Sequence, residues 1–187
     1  WIAKEDQAGL DPEGRLIDKK EADAITQAVA GKSGTIIEHS DTPKKDTHPR
    51  AFALSDITLV ASEKFGYSAE EVLKVCQALY EQKLTSYPRT DCDYLPESQH
   101  ADAPQVLAAV KKVNPEWGRI IDAADPSIKS KTWNDAKITA HHGIIPTMHV
   151  GDVSGLTASQ RNIYGLIVRA YLAQFFPLHE YMSTKII

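Results

Sequence analysis

The feature that most limits how this chain can fold is a pair of helix-forming segments separated by a very short turn. The first segment begins at Ser55 and ends at Gly66, and the second begins at Ser68, which forms a capping box with Glu71. Apolar residues recur at helical spacing in both segments: Ile57, Val60, Ala61 and Phe65, then Val72, Val75, Cys76, Leu79 and Tyr80. So short a glycine-containing turn predicts a helix-turn-helix. Residues 83–87 alternate and favour a strand, which completes the outline of a winged helix.

The later part of the chain adds further helices. Thr157 and Gln160 form another capping box, and apolar residues keep helical spacing from there until Pro177. Residues 104–113 predict one more helix, and another follows from residue 114, with proline at its first position. We therefore expect a mixed α+β fold that is mainly helical.

The first fifty residues have a different pattern. Asp18 and Glu21 predict a capped helix, and the β-branched run at residues 35–39 predicts a short strand. Residues 40–49 are polar and contain two prolines, so we expect a loop or hinge there. Residues 1–3 and 181–187 resemble strands rather than polar tails. We accordingly expect this chain to be a piece cut from a longer protein.

Composition excludes several classes of protein. A hydrophobic fraction of 42% and a charged fraction of 25% are ordinary for a soluble globular protein, and 187 residues fit one domain or a domain plus part of another. No apolar run approaches the ~20 residues that span a bilayer, and no secretion leader opens the chain, so we expect a cytoplasmic location and no membrane partner. Cys76 and Cys92 have no metal-ligand spacing and are expected to be reduced thiols. A formal net charge of -4 argues against a protein coated in nucleic acid, but a local DNA groove remains compatible with it.

Tyr87 has neighbours that suit a nucleophile. Pro88 favours an extended backbone at Tyr87, and Arg89 would share a strand face with it two residues away. A guanidinium lowers the cost of ionising a phenol and can hold two phosphate oxygens at once. From these residues alone, a structural stack of Tyr87 on Arg89 is the more common explanation, and both alternatives stay open.

A second cluster lies at residues 140–147. His141 and His142 are adjacent, so in an extended segment they point to opposite faces and suit one metal ion poorly. One of them could bind phosphate or stabilise a developing charge. One internally bonded histidine and one solvated histidine would explain the pair equally well.

Taken together, several blocks in order resemble the type IA DNA topoisomerases, most closely the bacterial topoisomerase III branch. The matching blocks are residues 79–81, 84–91, 94–97, 133–135 with Lys137, 141–147 and 164–177. The resemblance covers most of residues 54–187 and is weaker and mostly positional before that.

The resemblance implies an activity and a set of site residues. In this family a tyrosine attacks one DNA strand, forms a 5′-phosphotyrosine and later reseals the break without ATP. By that comparison Tyr87 is the nucleophile, while Arg89 and His141 contact the scissile phosphate. Residues expected to contact DNA are Thr90, Asp91, Lys137 and His142. Single-stranded DNA is the expected partner of a monomeric enzyme.

Two departures and one absence qualify this comparison. Ser86 stands where threonine is more usual, and Gly143 where alanine is common, but neither change removes a reacting group. The family's acidic domain, which binds Mg²⁺, and its catalytic lysine have no counterpart in this sequence. We therefore expect no metal or other cofactor in this chain, Mg²⁺ in the full-length enzyme, a missing N-terminal domain as partner, and an inactive isolated chain.

The family also implies a domain arrangement. Residues 1–52 and the returning strand 180–187 would belong to a β-rich arch domain, and residues 53–179 would be the inserted catalytic-tyrosine domain with a winged-helix core, similar to CAP. Residues 40–49 and the segment near Pro177 would be the two connections, and would act as hinges when the gate opens.

Two other functions remain compatible with the residues. A non-catalytic winged-helix module that binds duplex DNA would explain residues 55–87 but would leave residues 141–147 unused. A structural or partner-binding domain would make Tyr87 a packing residue with a buried hydroxyl.

Overall fold

The computed structural model describes residues 7–187, which form two compact units. One unit takes the chain up to Pro43 together with Met182–Ile187, and the other takes Lys44–Tyr181. The strand expected at residues 1–3 lies outside the described residues. The division at 1–52, 53–179 and 180–187 stays a prediction, because compactness alone does not identify an arch or a catalytic domain.

In the first unit, helix α1 (Lys19–Val29) begins where the sequence predicts it. The Asp18 carboxylate is its N-cap and accepts hydrogen bonds from the backbone N–H groups of Lys20 and Glu21. After the helix the chain turns at Gly31, whose φ of 70° lies in the left-handed region. No residue of α1 is fully buried, so local capping rather than a core defines this helix.

Two strands, β1 (His39–Asp46) and β2 (His179–Ile186), form a two-stranded sheet. Glu38 and Ile187 exchange backbone hydrogen bonds just beyond the strands, each donating its N–H to the other's carbonyl. Since the start of β1 thus lies opposite the end of β2, the strands are antiparallel.

The prediction of a strand at residues 35–39 followed by a loop at 40–49 is wrong. The strand begins at His39 and occupies most of the expected loop, so the expected hinge is paired backbone. Every residue of β1 is exposed, and without a buried face the sequence has no reason to alternate between apolar and polar residues. Pro43 is tolerated because both strands of a two-stranded sheet are edge strands.

The second unit is helical, as expected. Its α-helices are α2 (Leu54–Phe65), α3 (Ala69–Glu81), α4 (Ala103–Val113), α5 (Gly118–Asp122) and α6 (Ala158–Leu172). Short 3₁₀ segments occupy Glu97–Asp102, Pro115–Trp117, Asp135–Lys137 and Ala173–Phe175. No helix within residues 7–187 combines the length and apolar character needed to cross a bilayer.

The core of this unit lies where α6 packs against α2 and α3. The predicted apolar face of α3 is buried through Val72, Val75, Cys76 and Leu79. Helix α6 contributes eight buried residues, among them Tyr164 and Tyr171. The centre of the domain is therefore built from the periodic segments that the sequence marks.

The turn between α2 and α3 is the one the sequence predicts. Gly66 ends α2 with a φ of 72°, and the Ser68 hydroxyl accepts a hydrogen bond from the backbone N–H of Glu71 to begin α3. Residues 83–87 do not form a regular strand: in this unit the chain outside β1 and β2 has only isolated bridges, at Phe52–Ile144, Thr85–Pro146 and Leu95–Trp133. The helix pair is present, and the winged-helix arrangement stays a prediction.

Candidate active site around Tyr87

The backbone that carries Tyr87 leaves α3 through a Schellman turn. Lys83 adopts the left-handed conformation with a φ of 61°. Its N–H donates to the Tyr80 carbonyl at 2.8 Å, and the Leu84 N–H donates to the Leu79 carbonyl at 3.0 Å. Leu79 and Leu84 are both buried, which gives the turn its usual apolar contact. The turn thus sets the direction in which the chain approaches Tyr87.

Ser86 joins this segment to the histidine segment. Its backbone N–H donates to the Ile145 carbonyl, and its hydroxyl accepts the Ile145 N–H at 3.0 Å and donates to the Gly143 carbonyl at 3.3 Å. The Thr147 N–H adds a bond to the Leu84 carbonyl at 3.1 Å. Two segments more than fifty residues apart in sequence are thereby held side by side.

The side chain of Tyr87 is 36% exposed and lies among aromatic rings. The Tyr80 ring meets it edge-on, with centroids 5.6 Å apart, and the His141 ring lies 4.9 Å away at 47°. Tyr87 therefore has a surface position beside an imidazole, which differs from the buried packing residue of the structural alternative. Sequence alone places Tyr80 only on the apolar face of α3 and does not reveal this contact.

Arg89 does not share a strand face with Tyr87, because residues 87–89 have no regular strand. Its exposed side chain instead lines a groove of about 960 Å³ beside α2, together with Asp91, and Tyr87 is absent from that lining. Among the described residues Arg89 forms neither an ion pair nor a hydrogen bond. The structure thus brings Tyr87 and His141 together. Within the described residues it leaves the Arg89 guanidinium without a partner, in the groove beside α2.

Thr90 has a positioning role in the structure. It is 4% exposed, its hydroxyl accepts the Cys92 N–H at 3.0 Å, and its carbonyl accepts the Leu54 N–H at 2.9 Å. These bonds fix the loop that carries Arg89 against the start of α2. A direct contact between Thr90 and DNA stays a prediction.

The two histidines have different neighbours, as expected for adjacent residues of an extended segment. The Nδ1 atom of His142 lies 2.8 Å from the Gly143 carbonyl oxygen, so Nδ1 carries the proton. Its Nε2 is then free to accept a hydrogen bond from the Gln99 amide at 3.4 Å. His142 is a network residue in this structure, and Gln99, on a 3₁₀ segment that the sequence did not predict, completes that network.

Lys137 is exposed at the end of a 3₁₀ turn, and its carbonyl lies 3.6 Å from the Cys92 sulfur. Asp93, close to the expected site, is paired with Arg50 at 3.0 Å and is not free for chemistry. Contacts of Lys137, Asp91 and His142 with DNA stay predictions.

The part of the chain from residue 7 onward has no group of three or more His, Cys, Asp or Glu side chains arranged to hold a metal ion. The described residues therefore do not fit a Mg²⁺ site of their own.

Comparisons with known proteins agree on one family. The family model described as DNA topoisomerase matches residues 3–187. The chain is 39% identical over 178 residues to DNA topoisomerase 3 of Vibrio cholerae, and 38% identical over 177 residues to DNA topoisomerase 3 of Haemophilus influenzae. These alignments cover 95% and 94% of this chain but only 28% and 27% of the relatives.

A solved structure supports the fold. The full-length topoisomerase I of Thermotoga maritima superposes with a TM-score of 0.59 at 20% identity, over 94% of this chain and 28% of that protein. Because the match of the family model extends over nearly the whole chain, and its relatives carry the topoisomerase III name, this chain belongs to the type IA DNA topoisomerases and is a topoisomerase III-like part of such an enzyme.

Proposed function

We propose that this chain carries the nucleophile of an enzyme that changes DNA topology by cleaving and rejoining one strand, and that Tyr87 is that nucleophile. The observation that carries the proposal is the surface position of Tyr87 with the His141 ring 4.9 Å away. Membership of the family supports the activity of the whole protein, of which this chain spans little more than a quarter of the length of its relatives.

The reaction is a reversible transesterification. The phenolic oxygen of Tyr87 attacks the scissile phosphorus and gives up its proton, while the bond from phosphorus to the 3′-oxygen breaks and that oxygen leaves as a hydroxyl. The 5′-phosphate then stays on the tyrosine, and the reverse attack by the 3′-hydroxyl restores both the strand and the phenol. One phosphoester replaces another, so neither cleavage nor resealing needs ATP.

Arg89 and His141 are proposed to stabilise the negative charge that builds on the phosphate oxygens. An arginine without a partner can rotate onto a bound phosphate and offer two parallel donors. The His141 ring is already beside Tyr87 and would hold the phosphate near the attacking oxygen. Asp91, exposed in the same groove as Arg89, is proposed to accept hydrogen bonds from the bases of the strand, because its carboxylate repels the phosphates.

The finer parts of the proposal concern the whole enzyme. We expect Mg²⁺ and a catalytic lysine on an N-terminal domain that completes a split active site, so the isolated chain is expected to be inactive. The substrate is expected to be single-stranded, the enzyme monomeric and the location cytoplasmic. A winged-helix core built on α2 and α3 belongs to the same proposal.

The test is covalent trapping in the full-length enzyme. A single strand labelled at its 3′ end is incubated with enzyme and denatured with detergent, and the label is expected to move with the protein. Tyr87→Phe should abolish this transfer, while Tyr80→Phe, which changes the neighbouring ring on α3, should retain it. A covalent adduct that survives in Tyr87→Phe, or a label that follows the protein only from the 5′ end, would overturn the proposal.

A further inference from the structure

A second groove in the tyrosine-bearing unit is rich in positive charge. It has a volume of about 450 Å³ and lies between the end of α2, Trp117 and the outer face of α6. Three cations line it, Lys64, Arg161 and Arg169, and none of them forms an ion pair within the described residues. No carboxylate is among its lining residues, although the formal net charge of the chain is -4.

The residues that helix α6 contributes to this groove are regularly spaced. Arg161, Gly165 and Arg169 follow each other at intervals of four residues and therefore share one face of the helix. The two arginines lie eight residues apart, which is about 12 Å along the axis. Between them, Gly165 has no side chain and leaves the surface of the groove open.

Folding does not explain the glycine at this place. Glycine inside a helix costs about 1 kcal/mol relative to alanine. A Cβ added at Gly165 would meet only the Trp117 ring, at 3.8 Å, which is an ordinary contact. Alanine would therefore fit the protein, and the missing side chain leaves the Trp117 side of the groove open.

The dipoles of helices α2 and α6 explain only part of the positive charge in the groove. Lys64 and Arg169 lie in the last turns of α2 and α6, where a cation is favourable. Arg161 lies near the other end of α6, where a cation is not favoured, and it is held there by a bond from its guanidinium to the Leu156 carbonyl. An external anion in the groove would be stabilised by all three.

Aromatic rings complete the surface. Trp117 is half-buried against the core, and Phe65 is 38% exposed. The Phe65 ring lies 5.3 Å from that of Tyr67, which also lines the groove of Arg89, and the Asn162 amide donates to the Tyr67 hydroxyl at 2.8 Å. The two grooves share no lining residue, but they lie close to each other at the end of α2.

We propose that this groove, lined by Lys64, Phe65, Trp117, Arg161, Gly165 and Arg169, binds a segment of single-stranded nucleic acid. A base would stack on Trp117 above Gly165, and phosphates would contact the cations on either side. Stacking on an aromatic ring together with unpaired cations is the combination by which single strands are held without sequence preference. This site goes beyond the proposed cleavage at Tyr87 and shares no residue with the tyrosine and its histidine.

The experiment measures binding of a fluorescent oligothymidylate to the full 187-residue chain over a range of salt. In Lys64→Gln/Arg169→Gln the dissociation constant should rise about tenfold or more, and the slope of log affinity against log salt should fall by about 1.4, since each phosphate contact on a single strand contributes about 0.7. The control is Lys74→Gln/Lys112→Gln, which removes the same charge from exposed positions of α3 and α4 and should change affinity less than twofold. Equal loss in both double variants would overturn the proposal, because it would show general attraction rather than a site.

Two further measurements separate a strand from other anions. Gly165→Ala should stabilise the fold yet weaken binding, and an abasic strand of equal length should bind more weakly than oligothymidylate. Equal binding of the abasic strand, equal competition by polyglutamate, or preference for duplex DNA would each reject a single-strand site. None of these variants changes Tyr87 or His141, so the result does not depend on whether Tyr87 is the nucleophile.

Discussion

At the scale of single residues, Gly143 shows how closely the histidine segment is packed. A Cβ built there would lie 2.7 Å from the Cβ of Ala51, and 3.4 Å from the backbone of Asp93. The Gly143 N–H also donates to the Tyr94 carbonyl at 2.8 Å, so the backbone has little freedom to retreat. This chain needs glycine at position 143 because Ala51 occupies the space that a side chain would fill.

Gly143→Ala should therefore lower the free energy of unfolding by about 1–3 kcal/mol, the usual cost of overpacking. Adding Ala51→Gly should recover part of that loss, because it removes the methyl group that the new Cβ meets. Urea unfolding of both single variants and the double variant measures the coupling between the two positions. Strictly additive effects would show that the two positions do not compete for space.

The residues of the site were predictable to different degrees. Ordered sequence blocks place Tyr87 and His141 in one site, and the structure brings their rings together. The bonds of Ser86 and Gln99 could not be predicted, because both depend on partners more than forty residues away in sequence. Arg89 was expected on the face of Tyr87, but without a regular strand the rule that residues two apart share a face does not apply.

At the scale of elements, two left-handed residues end two successive helices. Gly66 ends α2 at a φ of 72° and Lys83 follows α3 at 61°. A left-handed backbone suits glycine and costs other residues about 1 kcal/mol. The second turn, which leads to Tyr87, therefore carries strain that the first does not.

Lys83→Gly should raise the free energy of unfolding by about 0.5–1 kcal/mol, because the turn bonds are made by the backbone and remain. Gly66→Ala, the opposite change in the same geometry, should lower it by a similar amount. Thermal and urea unfolding of the two variants should thus move in opposite directions. A destabilised Lys83→Gly would mean that the lysine side chain holds the turn through a contact of its own.

Helices and strands differ in how far the sequence predicted them. The ends of α1, α3 and α6 were predicted closely, since capping residues and apolar periodicity act within a few residues of each other. Strand β1 was missed because all of it is exposed and its pairing partner β2 lies at the far end of the chain. Local rules cannot identify a strand whose only stabilising contact is so distant in sequence.

At the scale of the whole molecule, the core contains a thiol and two phenols. Each is neutral while it keeps its proton and becomes negatively charged at high pH. Burial raises the pKa of Cys76 from 9.0 to about 12 and that of Tyr164 from 10.0 to about 12. Burial also raises the pKa of Tyr171, to which the charge of Asp102 adds. All three lie in the core around α3 and α6.

Because the folded pKa values lie above the unfolded ones, the stability these groups contribute is complete below pH 9.0 and is lost as the pH rises towards 12. Urea unfolding should show a free energy that is constant near neutral pH and falls above pH 9.0. Tyr164→Phe should make that alkaline decline shallower, since it removes one titrating group. The absorbance of tyrosinate in the folded chain provides a second check. If every tyrosine ionised at its usual pKa while the chain stayed folded, burial would not couple these groups to stability.

The pairing of β1 with β2 bears on how this unit can be transferred between proteins in evolution. The unit that bears Tyr87 begins in β1 and ends in β2, where Lys45 and Glu180 form a salt bridge across the sheet. A compact segment whose two ends are neighbours can be inserted into a loop of a host protein, or removed from it, with little change to the path of the host chain. A single genetic insertion is therefore enough to transfer the whole unit that bears Tyr87, without any rearrangement of the gene around it.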